Sequence, residues 1–308
     1  MRFRMALLLL FFLTALGCAN SGDRDFDTSV AKPAYVTVHP RVAYDEGHHN
    51  RHTANGTYRP FVDLIRHDGY EVETLHDPLT TTILAPFRVL VIVGAKSEGD
   101  TSAGPAFTET ECDAIQAYVA NGGALLLITD HFPFGSAVEA LGRRFGVEMS
   151  KGMTVDSVAF DQESKDNSQL VFSRENGLLA GHAVTDGRSP QERVGRVVTF
   201  TGQSVRGPDE SALLLKLSPT AVNHQAIPTV KHEGSTTRVE VAWGEGTPAV
   251  GWGQAVALVH GQGRVVVLGE AAMLSAQRDG DRRIGMNLPG NDNRQLALNI
   301  MHWLSRNL

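Results

Sequence analysis

The chain has 308 residues, enough for one large α/β domain or two small ones. Its 28 Lys and Arg stand against 34 Asp and Glu for a net charge of −6, and no basic stripe occurs, which argues against a nucleic-acid partner. Hydrophobic content of 42% with 20% charged residues suits an ordinary folded core.

The elements begin with an export signal. Arg2 and Arg4 precede an apolar run from Met5 to Leu13. A basic head, a short apolar middle and small residues before a cut describe a secretory signal. The run is shorter than the roughly 20 apolar residues of a membrane span. The next residues, Ala15-Leu16-Gly17-Cys18, resemble the lipobox of bacterial lipoproteins. That resemblance implies a lipoprotein signal peptide over residues 1–17, cleavage before Cys18 and diacylation of its thiol. The product is a membrane-anchored lipoprotein of the cell envelope, facing the periplasm. Cys112 is then the sole remaining cysteine, so no disulfide framework is available. Residues 18–34 are small, polar and patternless, and predict a flexible tether.

The folded domain is expected over 35–308. Val36–Val38 and Arg41–Tyr44 read as a first strand, interrupted at Pro40. Phe61, Leu64 and Ile65 recur at helical spacing after Pro60, and Gly69 ends that helix. Tyr70–Leu75 alternates as a second strand. Arg88–Gly94 and Ala124–Thr129 are continuous apolar runs, as in strands covered on both faces. Between them Thr108 and Glu111 form a capping box for a helix that Gly122-Gly123 ends. A helix is predicted from Ser136 to Phe145. Residues 150–190 show no clear pattern. From Arg193 the chain is β-rich, with a hairpin around His260–Gly263 and a last helix from Asp292-Asn293. The β-α-β-α alternation of the first half predicts an α/β fold with a mostly parallel sheet.

In such sheets ligands gather beyond the carboxyl ends of the strands. Three predicted strands end in polar residues. The first supplies Asp45, Glu46, His48, His49 and His52, the fourth Asp130 and His131, and the last Glu270. Imidazoles with a carboxylate suit a divalent metal such as zinc, with His48, His49, His52 and Asp130 as candidate ligands. Their spacing matches no established zinc signature. Without a metal, Asp130 or Glu270 could act as general base beside His131 or His48. The alternative is structural: such residues hold turns by bonding their own backbone. Asn287, Asn291, Asp292, Asn293 and Arg294 precede the last helix, where they could bind a polar ligand or cap it. Neither a phosphate loop nor a G-x-S-x-G elbow is present.

The segments FTETECDAIQAYVANGGALLLITDH, GRVVVLGEAAMLSAQ and DNRQLALNIMHWL resemble the class I glutamine amidotransferase-like superfamily. The resemblance implies a flavodoxin-like three-layer α/β/α sandwich. It also implies a nucleophilic cysteine at a strand-to-helix turn, where this chain has Asp130-His131 instead. Cys112 lies at a helix start among Glu109, Glu111 and Asp113, which oppose a thiolate, and reads as structural. Two functions are therefore expected. The first is a lipid-anchored envelope protein binding a small polar ligand or an envelope protein. The second is a hydrolase using the rim of His48, His52, Asp130, His131 and Glu270, with or without metal.

Overall fold

Burial on both faces decides the centre of the molecule. Val89–Val93 and Ala124–Ile128 contain only apolar residues, and all are buried. A strand with no polar face belongs inside a sheet with helices on either side. In the computed structural model, which describes residues 22–98, 104–233 and 236–308, these strands lie mid-sheet. The parallel part runs in the order Glu71–Leu75, Arg41–Asp45, Val89–Val93, Ala124–Ile128, Gly263–Leu268. Counted along the chain this is 2-1-3-4-5, the flavodoxin-like order. Gly253–His260 then pairs antiparallel with Gly263–Leu268, and short antiparallel strands complete the edge.

Two apolar clusters cover the two faces. One gathers Phe61, Leu64 and Ile65 of the Arg59–His67 helix with Leu296, Ile300 and Trp303 of the Asn293–Leu304 helix. The other gathers Cys112, Ile115 and Val119 of the Glu109–Ala120 helix with Leu141 and Phe145. The expected three-layer sandwich with a mostly parallel sheet and a β-rich second half is the observed fold.

The second half adds a separate sheet. Gly152–Asp156 pairs with the start of Ala221–Glu233, which forms a long hairpin with Thr236–Pro248. Beyond Gln225 the two long strands pair, among the described residues, only with each other, and Ile227 and Val230 are exposed there. Elsewhere the differences from expectation are local. Val36 and Val38 are 71% and 72% exposed and join no strand, so the first strand is Arg41–Asp45 alone. The helix expected over 136–145 is split into Phe134–Ala137 and Glu139–Arg144. No helix among the described residues is long and apolar enough to cross a membrane.

The segment expected as a free tether is docked from Gly22 onward. Gly22 pairs with Gln277, and the Asp23 amide donates to the Ala276 carbonyl at 2.7 Å. The Asp23 carboxylate accepts from Asn287 at 2.9 Å and meets Arg278 at 3.0 Å. Phe26, Val30 and Tyr35 pack against the core. At the far end Ala34 N–H donates to Asp68 Oδ1 at 2.8 Å, while Asp68 Oδ2 holds His302 Nε2 at 2.6 Å with both side chains buried. Composition misled here because single apolar residues at 26 and 30 have no period, yet each packs against the core. A Cβ on Gly22 would fall 2.7 Å from Pro60 Cδ, and one on Gly69 (φ +100°) would fall 1.9 Å from the Tyr35 carbonyl oxygen. Both close approaches need glycine.

Protein beginning at residue 35 is expected to melt several degrees below protein beginning at residue 22, since about 1 kcal/mol moves a domain of this size by roughly 2–4 °C. Equal melting temperatures by differential scanning calorimetry would show that the docked leader contributes nothing.

Candidate functional site

The carboxyl end of the parallel sheet carries the His, Asp and Glu candidates of the three strand ends; Cys18 lies outside the described residues. Here the turns after Arg41–Asp45, Ala124–Ile128 and Gly263–Leu268 emerge at the same end, the last two from neighbouring strands.

His48 is a clamp. Its Nδ1 lies 2.7 Å from Asp45 Oδ1 and its Nε2 3.0 Å from Glu111 Oε1, with all three side chains nearly inaccessible. Glu111 is the capping-box residue of the Glu109–Ala120 helix and also accepts from Leu79 N–H at 3.1 Å. Burial opposes charge on the imidazole, but the Asp45 and Glu111 carboxylates outweigh it and hold the His48 pKa above its ordinary value. Burial works against a charged Glu111 too, but its bonds to Thr108 and His48 overcome that, so its pKa is lowered. His48 thus fastens the first turn to a helix on one face of the sheet.

The other histidines do not join it. His49 is exposed, with φ +47°. His52 is buried with Nδ1 2.7 Å from Thr57 Oγ1, and burial, assisted by Arg51, pushes its pKa down to about 4. It is neutral at pH 7. Among the described residues no group of three or more His, Cys, Asp or Glu side chains is arranged to hold a metal ion. The expected ligand set of His48, His49, His52 and Asp130 is therefore not assembled. The physical reason is that His48 has both ring nitrogens committed to carboxylates and His52 one to a hydroxyl.

Asp130 and Glu270 do come together. Glu270 is fully buried; its Oε1 accepts from Ala272 N–H at 2.6 Å and its Oε2 from Met273 N–H at 2.8 Å. Burial pushes its pKa well above the ordinary carboxylate value, and the charge of Asp130 adds to that. The Asp130 side chain retains 13% exposure. Burial raises its pKa to about 6, against the opposing pull of His131, the Ala271 N–H and Arg51. Tyr58, buried under both, donates its hydroxyl to the Ala271 carbonyl at 2.5 Å.

His131 completes this corner. Its N–H donates to Asp130 Oδ1 at 2.7 Å, and its Nδ1 donates to the Phe132 carbonyl at 2.8 Å. Nε2 is then the basic nitrogen, 3.9 Å from Asp130 Oδ1 on a side chain 35% exposed. Gln203, not singled out from sequence, ties the turn from behind: its Nε2 donates to the Asp130 carbonyl at 2.9 Å and to Thr129 Oγ1 at 3.1 Å. Its residue type carried no signal, because a buried Gln in an irregular segment looks like any loop residue. Arg51 was likewise passed over as one cation in a polar run.

The remaining candidates serve the fold. Cys112 is fully buried, and burial pushes its thiol up to about 11. Asp292 does not cap the last helix with its side chain; its Oδ2 accepts from the Gly195 and Arg196 amides at 2.7 and 3.0 Å. Asn293 bonds both polar groups of Val198, Asn291 the Gly285 and Leu288 carbonyls, and Arg294 the Ser29 carbonyl. Asn287 holds Asp23. A cavity of about 1000 Å³ lies among these residues and the leader rather than at the rim.

The clamp makes stability depend on pH. A raised His48 pKa stabilises fully below 6.5 and is lost as pH rises through the folded value; a lowered Glu111 pKa stabilises above 4.5 and is lost below it. His48→Gln should therefore cost most between those limits, on the order of 1.5–3 kcal/mol for hydrogen bonds to charged groups, and less at pH 9. A cost independent of pH in urea titrations would refute a charged clamp.

Comparison with known proteins bears on the fold. No protein-family model and no curated protein matches the chain. Among solved structures, the N-terminal domain of mmIFT52 is similar with a TM-score of 0.56 at 13% identity, over 86% of this chain and 97% of that one. A ThuA-like protein from Bacteroides uniformis gives 0.41 at 12% identity over 89% and 93% of the two chains. A protein from Thermoplasma acidophilum, described as a subunit of GMP synthase, gives 0.43 at 9% identity over 88% and 96%. At such identities what is shared with the mmIFT52 domain is the fold, an α/β architecture around a mostly parallel sheet.

Proposed function

We propose that this chain is a lipoprotein of the cell envelope, anchored through Cys18, whose amidotransferase-like domain binds a polar ligand or an envelope protein and hydrolyses nothing. The observation that carries this reading is how the rim commits its chemical groups. Glu270 gives both oxygens to backbone amides in a sealed site, His48 gives both nitrogens to carboxylates, and Asp130 accepts from its own turn. Groups committed in this way define a rigid surface more readily than they pass protons to a substrate. The strand-to-helix turn that bears the nucleophile in amidotransferases has Asp130-His131 here, and Cys112 is buried in a helix with its pKa raised. A thiol so placed is a poor nucleophile.

One observation favours a second reading. Asp130 has a pKa of about 6, retains some exposure and neighbours a basic imidazole nitrogen. That pairing is what a metal-free general acid/base hydrolase would use, with Asp130 and His131 in the acting roles and Glu270 as the buried acid beside them.

Two assays separate these readings. Purified protein lacking residues 1–18 should release no ammonia from glutamine and no product from activated esters or glycosides, with or without zinc. Turnover that falls below pH 6 and is lost in Asp130→Asn would replace the binding reading with the hydrolase. In bacterial cells the full chain should incorporate labelled palmitate and fractionate with membranes, and Cys18→Ser should do neither. Membrane retention of Cys18→Ser would overturn the anchor.

A further inference from the structure

We infer that the docked leader fixes the orientation of the domain on the membrane, turning the carboxyl end of its sheet, with Arg51, His52, Asp130 and His131, toward the lipid surface. This rests on the Cys18 anchor proposed above and goes beyond it by naming the face presented and the surface it meets.

The path of the leader is the first support. Gly22 sits against Gly56 and Pro60, at the start of the Arg59–His67 helix. Tyr35 sits against Asp68 and Gly69, at that helix's end. The helix follows the first parallel strand and runs back along the sheet, so its start marks the carboxyl end of the strands. The leader therefore enters at the carboxyl end and travels to the amino end, where Arg41 opens the first strand. The same polarity follows from Gln277, the partner of Gly22, which lies shortly after the Gly263–Leu268 strand ends. From Gly22 to the rim the contacts are continuous: Gly56 and Pro60 flank Tyr58, which bonds Ala271, whose N–H bonds Asp130.

Length is the second support. Four residue steps separate Cys18 from Gly22, a span of at most about 14 Å when fully extended. A chain of this size has a radius of gyration of about 19 Å, so it measures well over 40 Å across. A leash that short, attached at one end, cannot let the domain turn its amino end to the bilayer. Docking matters as much as counting: a free tether through residue 34 would have given several times that reach.

Charge does not supply the orientation. Around the entry point Arg24, Arg278, Arg282 and Arg283 are interspersed with Asp23, Asp25, Asp279 and Asp281. Such a mixed surface has little net attraction for anionic lipid. The orientation is mechanical and should not change with salt or lipid charge.

The test uses acylated full-length protein in phosphatidylcholine vesicles containing a nitroxide-headgroup lipid. A fluorophore is attached to one introduced cysteine, at exposed Arg282→Cys beside the entry point or exposed Gln262→Cys in the hairpin at the amino end. Cys112 is buried and does not compete for label. We expect fluorescence loss at 282 and none at 262, with or without anionic lipid. Inserting about ten Gly and Ser residues, a random coil, between Ser21 and Gly22 should remove the difference. Vesicle-bound protein quenched equally at both positions would overturn the orientation alone, as would a difference that survives the insertion. Protein that is not acylated and does not float with vesicles would overturn the anchor and the orientation together.

Discussion

A parallel sheet covered on both faces has nowhere to put polar groups except at its strand ends. Val89–Val93 and Ala124–Ile128 are sealed along their whole length, so the turns that follow gather the charges the interior refuses. Because the five parallel strands point the same way, Asp45, Asp130 and Glu270 lie at one end. The cost falls on the carboxylates. Asp45 is relieved by an imidazole, whereas Asp130 and Glu270 are left with backbone amides and each other. Two acidic groups raised by burial, Glu270 further by the charge of Asp130, are a cost to the fold that hydrogen bonding only partly offsets.

That end of the sheet is also where the chain enters. The Tyr58 hydroxyl and the Ala271 backbone connect the leader's contacts to the acidic pair. The leader, the Ala276–Asp279 and Arg282–Gly285 hairpin and the start of the last helix form a continuous structure through Asp23, Asn287 and Arg294. Many of the polar residues before the last helix are thereby accounted for as fasteners. The long hairpin of Ala221–Glu233 and Thr236–Pro248 is fastened instead to Gly152–Asp156.

Strong local patterns were readable without coordinates. The capping box of Thr108 and Glu111, the apolar strands and the hairpin around His260–Gly263 each follow from short-range chemistry, and each is present. What could not be read was pairing at a distance. Nothing near His48 announces that Glu111, sixty-three positions later, takes its second nitrogen. The same holds for Asp23 with Asn287 and for Asp68 with His302, contacts that exist only once the layers have packed. The three histidines looked like a ligand cluster because they are close in sequence, but an adjacent pair and a turn send them to three different surroundings. Asp130 and Glu270 were the reverse case: far apart in the chain, and neighbours because their strands are neighbours.

The account stands on that last proximity. Carboxyl-carbon NMR titration of the purified domain measures it directly. Asp130 should ionise near pH 6, Glu270 later, and Asp130→Asn should lower the Glu270 midpoint because the opposing charge is gone. Ionisation of Asp130 at an ordinary 3.8, with Glu270 unmoved by Asp130→Asn, would contradict a shared acidic corner at the end of the sheet.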